Sequence, residues 1–184
     1  SADEDFVASD KMRPSVHGDV IHSRPVAINF SDSDKTPEIV VFYGSNDGVL
    51  RAINGNRSAK IGDAEPGEEI WGFIAPEFYD QIRRLRDNQI PITIKATADD
   101  VVDVDDTVRE PKPYGFDGII TAYVDKGSDP DKRWVYATMR RGGRMIYAFD
   151  VSGIADDPGS PKLMWRYGCT DDPDGDGPGV PDCV

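Results

Sequence analysis

Histidine and cysteine are nearly absent from this chain, and each shortage narrows the chemistry available to it. His17 and His22 are the only two histidines in 184 residues. As a metal pair they lack a third nitrogen or sulfur ligand. His22 adjoins Ser23, but no G-x-S-x-G or comparable context surrounds the pair, and nucleophilic catalysis needs a constellation of groups. His22 is therefore read as a structural hydrogen-bonding residue. Basic side chains are also short, 21 against 34 acidic ones, for a net charge of -13. That balance excludes nucleic acid, whose phosphates demand a basic face, and it opposes direct binding to anionic lipid. No apolar run approaches the ~20 residues of a transmembrane helix, so direct membrane insertion is not expected. The opening SADEDFVASDKMRPS is acidic and polar, unlike a signal peptide. The expectation is that a leader has been removed or that the chain is a piece of something longer.

What is present is strand grammar. In Ile39 to Asn54 (IVVFYGSNDGVLRAIN) two apolar runs, Ile39 to Tyr43 and Val49 to Ile53, flank Ser45-Asn46-Asp47-Gly48. Asp-Gly between such runs signals a hairpin, because the tight turn needs a positive φ that glycine accepts. Gly44 suits a bulge or a close backbone approach. Glu69-Ile70-Trp71-Gly72-Phe73 then forms a third short strand. Upstream, Val26-Ala27-Ile28-Asn29-Phe30 alternates as a strand, with Pro25 confining it to an edge or a strand start.

The grammar returns. Ile119 to Val124 and Trp134 to Thr138 read as strands, Arg140 to Arg144 (RRGGR) as a Gly-Gly turn, and Met145 to Val151 as the return strand. Leu163-Met164-Trp165-Arg166-Tyr167 supplies a second Trp strand. Tyr43-Gly44-Ser45 lines up with Tyr136-Ala137-Thr138, Ala52-Ile53-Asn54 with Ala148-Phe149-Asp150, and Trp71 with Trp165. Two such units read as blades of a β-propeller with long insertions between them; an unrelated β-meander with two chance tryptophans is the alternative. The fold class is thus mainly β, a partial propeller of about two blade units. Residues 1–16 are expected to be a flexible arm and 17–184 the propeller domain. Within it, 17–75 is the first unit, 76–113 a helix and acidic insertion, 114–168 the second unit, and 169–184 a closed loop.

The insertion opens at Pro76. Phe78, Ile82 and Leu85 fall on one face of a short helix over Glu77 to Asn88, expected to pack on the blade edge. Acidic residues near its start and arginines near its end suit the helix dipole. Pro91 to Ala96 reads as a further strand. Asp99 to Asp106 (DDVVDVDD) lacks the turn glycine of a Ca²⁺ loop and reads as a solvated insertion. Asp117, in the turn Tyr114 to Gly118, reads as a turn carboxylate bonding its own backbone.

The only two cysteines, Cys169 and Cys183, bracket a Gly/Pro/Asp loop that cannot be held by burial. A disulfide between them would stabilise the fold by about 3 kcal/mol in the chain-entropy model and implies an oxidising compartment. Inside it Asp172, Asp174 and Asp176 alternate and Gly177 follows, matching positions 1, 3, 5 and 6 of a Ca²⁺ loop. Pro178 falls at position 7 and Asp182 is placed to close the shell. Val180 and Cys183 stand where positions 9 and 12 would supply ligands, so a hydrated acidic loop is the other reading of the same residues.

In order along the chain, GDVIHSRP, VVFYGSNDGVLRAIN, EEIWGFIAPE, YGFDG, RRGGRMIYAFDVSG and KLMWRYGC resemble the propeller domain of the PilC/PilY family. The resemblance runs from about Gly18 to Cys183. It implies a modified β-propeller akin in blade grammar to quinoprotein-like folds. It also implies a non-enzymatic role in type IV pilus biogenesis, in opposing retraction, and in adhesion from the pilus tip. Partners would be pilus subunits or minor pilins and a host or abiotic surface receptor. The location would run from periplasm to outer membrane and cell surface, and a Ca²⁺ ion would be the expected cofactor. A quinone-dependent dehydrogenase or a passive outer-membrane scaffold are the alternatives that the blade grammar leaves open.

Overall fold

Strand-forming runs dominate the chain, and the structure follows them. The computed structural model describes residues 17–31, 36–87, 92–93 and 110–169. Four antiparallel strands make a first sheet: β1 (Val26–Asn29), β2 (Ile39–Gly44), β3 (Val49–Asn54) and β4 (Glu69–Ile74), in the order β1-β2-β3-β4. A short parallel pair follows, β5 (Ile92–Thr93) and β6 (Glu110–Pro111). The second sheet repeats the meander with β7 (Ile120–Asp125), β8 (Lys132–Thr138), β9 (Arg144–Asp150) and β10 (Lys162–Cys169). The chain is mainly β, as its patterning implies. Neither sheet closes on itself.

Each hairpin has the chemistry its turn requires. Gly48 takes φ +87° behind Asp47, where an L side chain would be strained. Gly44 makes a close approach: a Cβ there would lie 2.2 Å from the carbonyl oxygen of Phe116. The bulge of the first sheet falls instead on β4, where Ile70 is the extra residue between Glu69 and Trp71, the partners of Ile53 and Ala52. The second hairpin turns through a 3₁₀ stretch, Arg140–Gly142, with Gly143 at φ +152°.

One core lies between the sheets. Val40, Phe42, Leu50 and Ala52 from the first meet Val135, Ala137, Tyr147 and Phe149 from the second, and all are fully or almost fully buried. Aromatic edges knit the seam, with Phe73 4.8 Å from Phe149 and Trp71 5.3 Å from it, ring centre to ring centre. Burying one such side chain stabilises by about 1.5–3 kcal/mol, so this cluster holds the sheets together.

Helix α1 (Tyr79–Asp87) follows a 3₁₀ turn at Pro76–Phe78. Only Phe78 is buried, against Phe116 at 5.5 Å. The expected stripe packs only in part among the described residues: Phe78 is buried, Leu85 is half-buried and Ile82 is exposed. Periodicity reports a face, and what covers that face is decided elsewhere in the fold. The acidic insertion at 99–106 lies outside the described residues, as does most of the strand expected over 91–96.

The two sheets meet front to back. In β2 the core-facing side chains alternate with Ile39, Val41 and Tyr43, and Ile39 accepts from Gly55 N–H across the hairpin at 2.8 Å. The core-facing residues of β2 therefore turn their peptide groups away from β3. In β8 the phase is reversed: buried Arg133 accepts from Val151 N–H at 2.9 Å, so the core-facing residues bond toward β9. In an antiparallel strand the side on which a residue's peptide groups bond alternates with its side-chain face. The two meanders consequently offer opposite local faces to the shared core, like successive cards in a stack.

Candidate functional site

Front-to-back packing places two equivalent rows differently. Cross-strand partners Phe42, Ala52 and Trp71 form a row on the front of the first sheet, turned into the core. Tyr136, Ala148 and Trp165 form the matching row on the front of the second. Trp71 and Trp165 thus correspond, as do Ala52 and Ala148. The alignment of Tyr43 with Tyr136 is off by one: Phe42 is the residue paired with Ala52 as Tyr136 is with Ala148. A one-residue slip exchanges the faces of a strand, and here Tyr43 sits on the back of its sheet.

Among the described residues the second front row is only partly covered: Ala148 is buried and Tyr136 half-buried, but the β10 end of the row is open. Trp165 is 45% exposed and Tyr167, two residues on, 67%. Tyr136 leans on Trp165 at 5.9 Å, and across the sheet Tyr123 stacks on Trp134 at 5.1 Å. Ile146 adds an exposed aliphatic. Large aromatic side chains with few rotatable bonds are the side chains that anchor interfaces. Exposed apolar clusters of this composition are the material from which binding surfaces are built.

A polar knot closes the first hairpin. Asp47 accepts from the N–H of Gly18 at 2.9 Å, from Ser45 Oγ at 2.6 Å and from both terminal nitrogens of Arg51, at 3.0 and 2.7 Å. Burial disfavours the Asp47 carboxylate, but hydrogen bonds from Arg51, Ser45 and Gly18 outweigh it and its pKa falls to about 2. Burial likewise disfavours the Arg51 cation, and Asp47 reverses that, raising its pKa. Glu69 Oε2 holds the other edge of the guanidinium at 3.0 Å. Every acceptor is matched to a donor, and the knot has the character of structure.

His22 and Asp117 form a second polar pair, and this one is long-range, Nδ1 to Oδ2 at 2.8 Å, with the Asp117 side chain buried. Asp117 is thus not a turn carboxylate bonding its own backbone, because its partner lies 95 residues away. His22 takes the hydrogen-bonding role read from its context. A polar cleft of about 660 Å³ opens between the sheets beside Phe30, Glu38, Asp131, Arg133 and Ser152. Arg133 spans it, donating to Asp131 Oδ2 at 3.2 Å with its guanidinium 5.0 Å above the Phe30 ring.

The residues read as a Ca²⁺ loop, Asp172, Asp174, Asp176, Pro178 and Asp182, lie outside the described residues, as does Cys183; Cys169 ends β10. No group of three or more metal-ligating side chains occurs among the described residues. Sequence reasoning missed both polar pairs. The Asp47–Arg51 knot carried a signal, an Asp-Gly turn followed four residues on by a strand arginine. The His22–Asp117 pair carried none. Family models, curated proteins and solved structures compared with this chain give no match.

Proposed function

We propose that this chain is part of a modified β-propeller. It acts as a non-enzymatic binding module of a type IV pilus biogenesis and tip-adhesin protein, at the outer surface of the cell. The ordered motifs from Gly18 to Cys183 carry the family reading. The single observation that supports the architecture is the front-to-back packing of matched rows, since blades placed around a ring each set their front against the back of the next. Exposed aromatic side chains favour a role in protein binding, and the family reading names the partners as pilus subunits or minor pilins and a surface receptor.

Ca²⁺ enters this reading through the Asp172, Asp174 and Asp176 carboxylates, with Pro178 and Asp182 completing the shell. Three alternating carboxylates and a following glycine form a hard-oxygen donor set suited to that ion. Calorimetric titration of the oxidised chain should show saturable Ca²⁺ binding that an Asp174→Ala, Asp176→Ala variant loses. Flat heats from both proteins would remove the ion from the proposal.

The cellular test is deletion in the organism that carries the chain. Lost surface attachment with pili retained assigns adhesion, and lost piliation assigns assembly. Unchanged piliation and attachment would overturn the pilus reading.

A further inference from the structure

The open front of the second sheet has a complement within the same molecule. On the back of the first sheet Val41 and Ile53 are cross-strand partners, both half-buried. Their row is the counterpart of Val135 and Phe149 on the back of the second sheet, because Phe42–Ala52 corresponds to Tyr136–Ala148 one residue along in each strand. Phe149 is the residue that Trp71 meets edge-on at 5.3 Å. Trp165, the counterpart of Trp71, therefore has a counterpart of that contact available on the back of any first sheet.

We propose that the front of the second sheet is a docking surface for a second copy of this chain. That copy sets the back of its first sheet, Val41 and Ile53, against Trp165, Tyr136 and Ile146. The contact continues the established seam between the sheets with the same local faces, the same rows and the same step. It is heterologous, so each copy keeps one front and one back uncovered among the described residues, and copies add head to tail until a ring closes or a filament grows. The net charge of -13 on every copy opposes this, so association strengthens as salt screens the repulsion. The inference rests on the packing of the sheets and is independent of the pilus reading.

Sedimentation velocity on the full chain, from micromolar to millimolar and in low and high salt, tests it. Concentration-dependent association that grows with salt is expected. Trp165→Arg, altering only the front, and Val41→Arg, altering only the back, should each weaken it at least about thirty-fold, the loss of a hot-spot contact. Ile82→Arg, an exposed apolar site on α1, should leave it unchanged. The decisive arm mixes the two defective variants. Trp165→Arg keeps a sound back and Val41→Arg a sound front, so together they should form one-to-one dimers that neither forms alone. Near-ultraviolet circular dichroism checks each variant's fold, with Tyr167→Glu and Ile53→Arg as replacements where one fails. A chain monomeric throughout would overturn the proposal and leave the face to a different partner. Association indifferent to Trp165→Arg or to Val41→Arg, or a mixture that fails to pair, would overturn it as well, and a Val41→Arg variant that still associates would indicate fronts that meet fronts.

Discussion

The rows Phe42–Ala52–Trp71 and Tyr136–Ala148–Trp165 occupy the same place in two sheets of the same topology, yet live in different solvents. One is turned into a packed aromatic core; the other is turned outward, with Trp165 45% exposed. Their compositions differ as their surroundings do. Phe42, fully buried, carries no polar side-chain atom, whereas Tyr136, only half-buried, ends in a hydroxyl. A tyrosine or tryptophan tolerates one wet end and one apolar body, which suits a surface covered for part of its life. The pair teaches that the strand pattern sets which residues share a face, and that the neighbour then decides what the face is for.

Truncating the row in each sheet breaks this comparison most sharply. Phe42→Ala should destabilise the chain by about 3–5 kcal/mol, the combined loss of transfer energy and a partly unfilled cavity. Tyr136→Ala, at the matching place, should cost about 1 kcal/mol or less in dilute solution. Urea unfolding of both variants provides the measurement. Equal losses would mean that the front of the second sheet is already covered in the isolated chain.

Much of this arrangement was legible in the sequence, and the reasons for the failures are physical. The Asp47–Gly48 turn and the alternation of Ile39 to Gly44 are local, so the hairpin could be read directly. Matching Trp71 to Trp165 succeeded because a bulky aromatic at a fixed offset from a hairpin marks one row. Matching Tyr43 to Tyr136 failed because it compared residue types, when burial had replaced the tyrosine of that row by Phe42. The pairing of His22 with Asp117 was illegible, since contacts closed by tertiary folding leave no periodic trace. Ile82 shows the converse limit: it is exposed on an amphipathic face whose first member, Phe78, is buried.

The next test contrasts the two hairpin ends. The β2–β3 turn is tied by a buried ionised carboxylate, whereas the β8–β9 turn runs through Arg140–Gly142, where no residue is buried. Asp47 has its pKa lowered to about 2 from the ordinary 3.8. A depressed carboxylate contributes stability above its unfolded pKa and loses it as pH falls through the folded one. The chain should therefore lose about 2 kcal/mol between roughly pH 5 and pH 2 through this group. Asp47→Asn should be less stable at neutral pH and should flatten that part of the acid limb. Chemical unfolding at stepped pH reads both, and an unchanged acid limb would show that the knot does not hold the carboxylate ionised.

The smallest effect lies at the seam where the two regions meet. Tyr147, buried among the core aromatics, donates its hydroxyl to Glu77 Oε2 at 2.5 Å, and Arg166 approaches the other oxygen of Glu77 at 3.4 Å. Burial first, and then the bond to Glu77, push the Tyr147 phenol up to about 12. A raised pKa contributes stability that is complete below the unfolded value near 10 and is lost as pH rises through the folded one. Tyr147→Phe keeps the ring and removes only the bond, so at neutral pH it should cost about 1 kcal/mol. Above about pH 10 the wild-type advantage should shrink, and the two unfolding curves should converge as pH approaches 12. The bond joins a sheet residue to the segment leading into α1, so its loss should loosen that junction while leaving both rows intact. Hydrogen exchange would locate the change: faster exchange around Glu77 with β9 still protected is the expected pattern. Equal loosening of β2 and β9 would instead make this one hydroxyl part of the seam between the sheets.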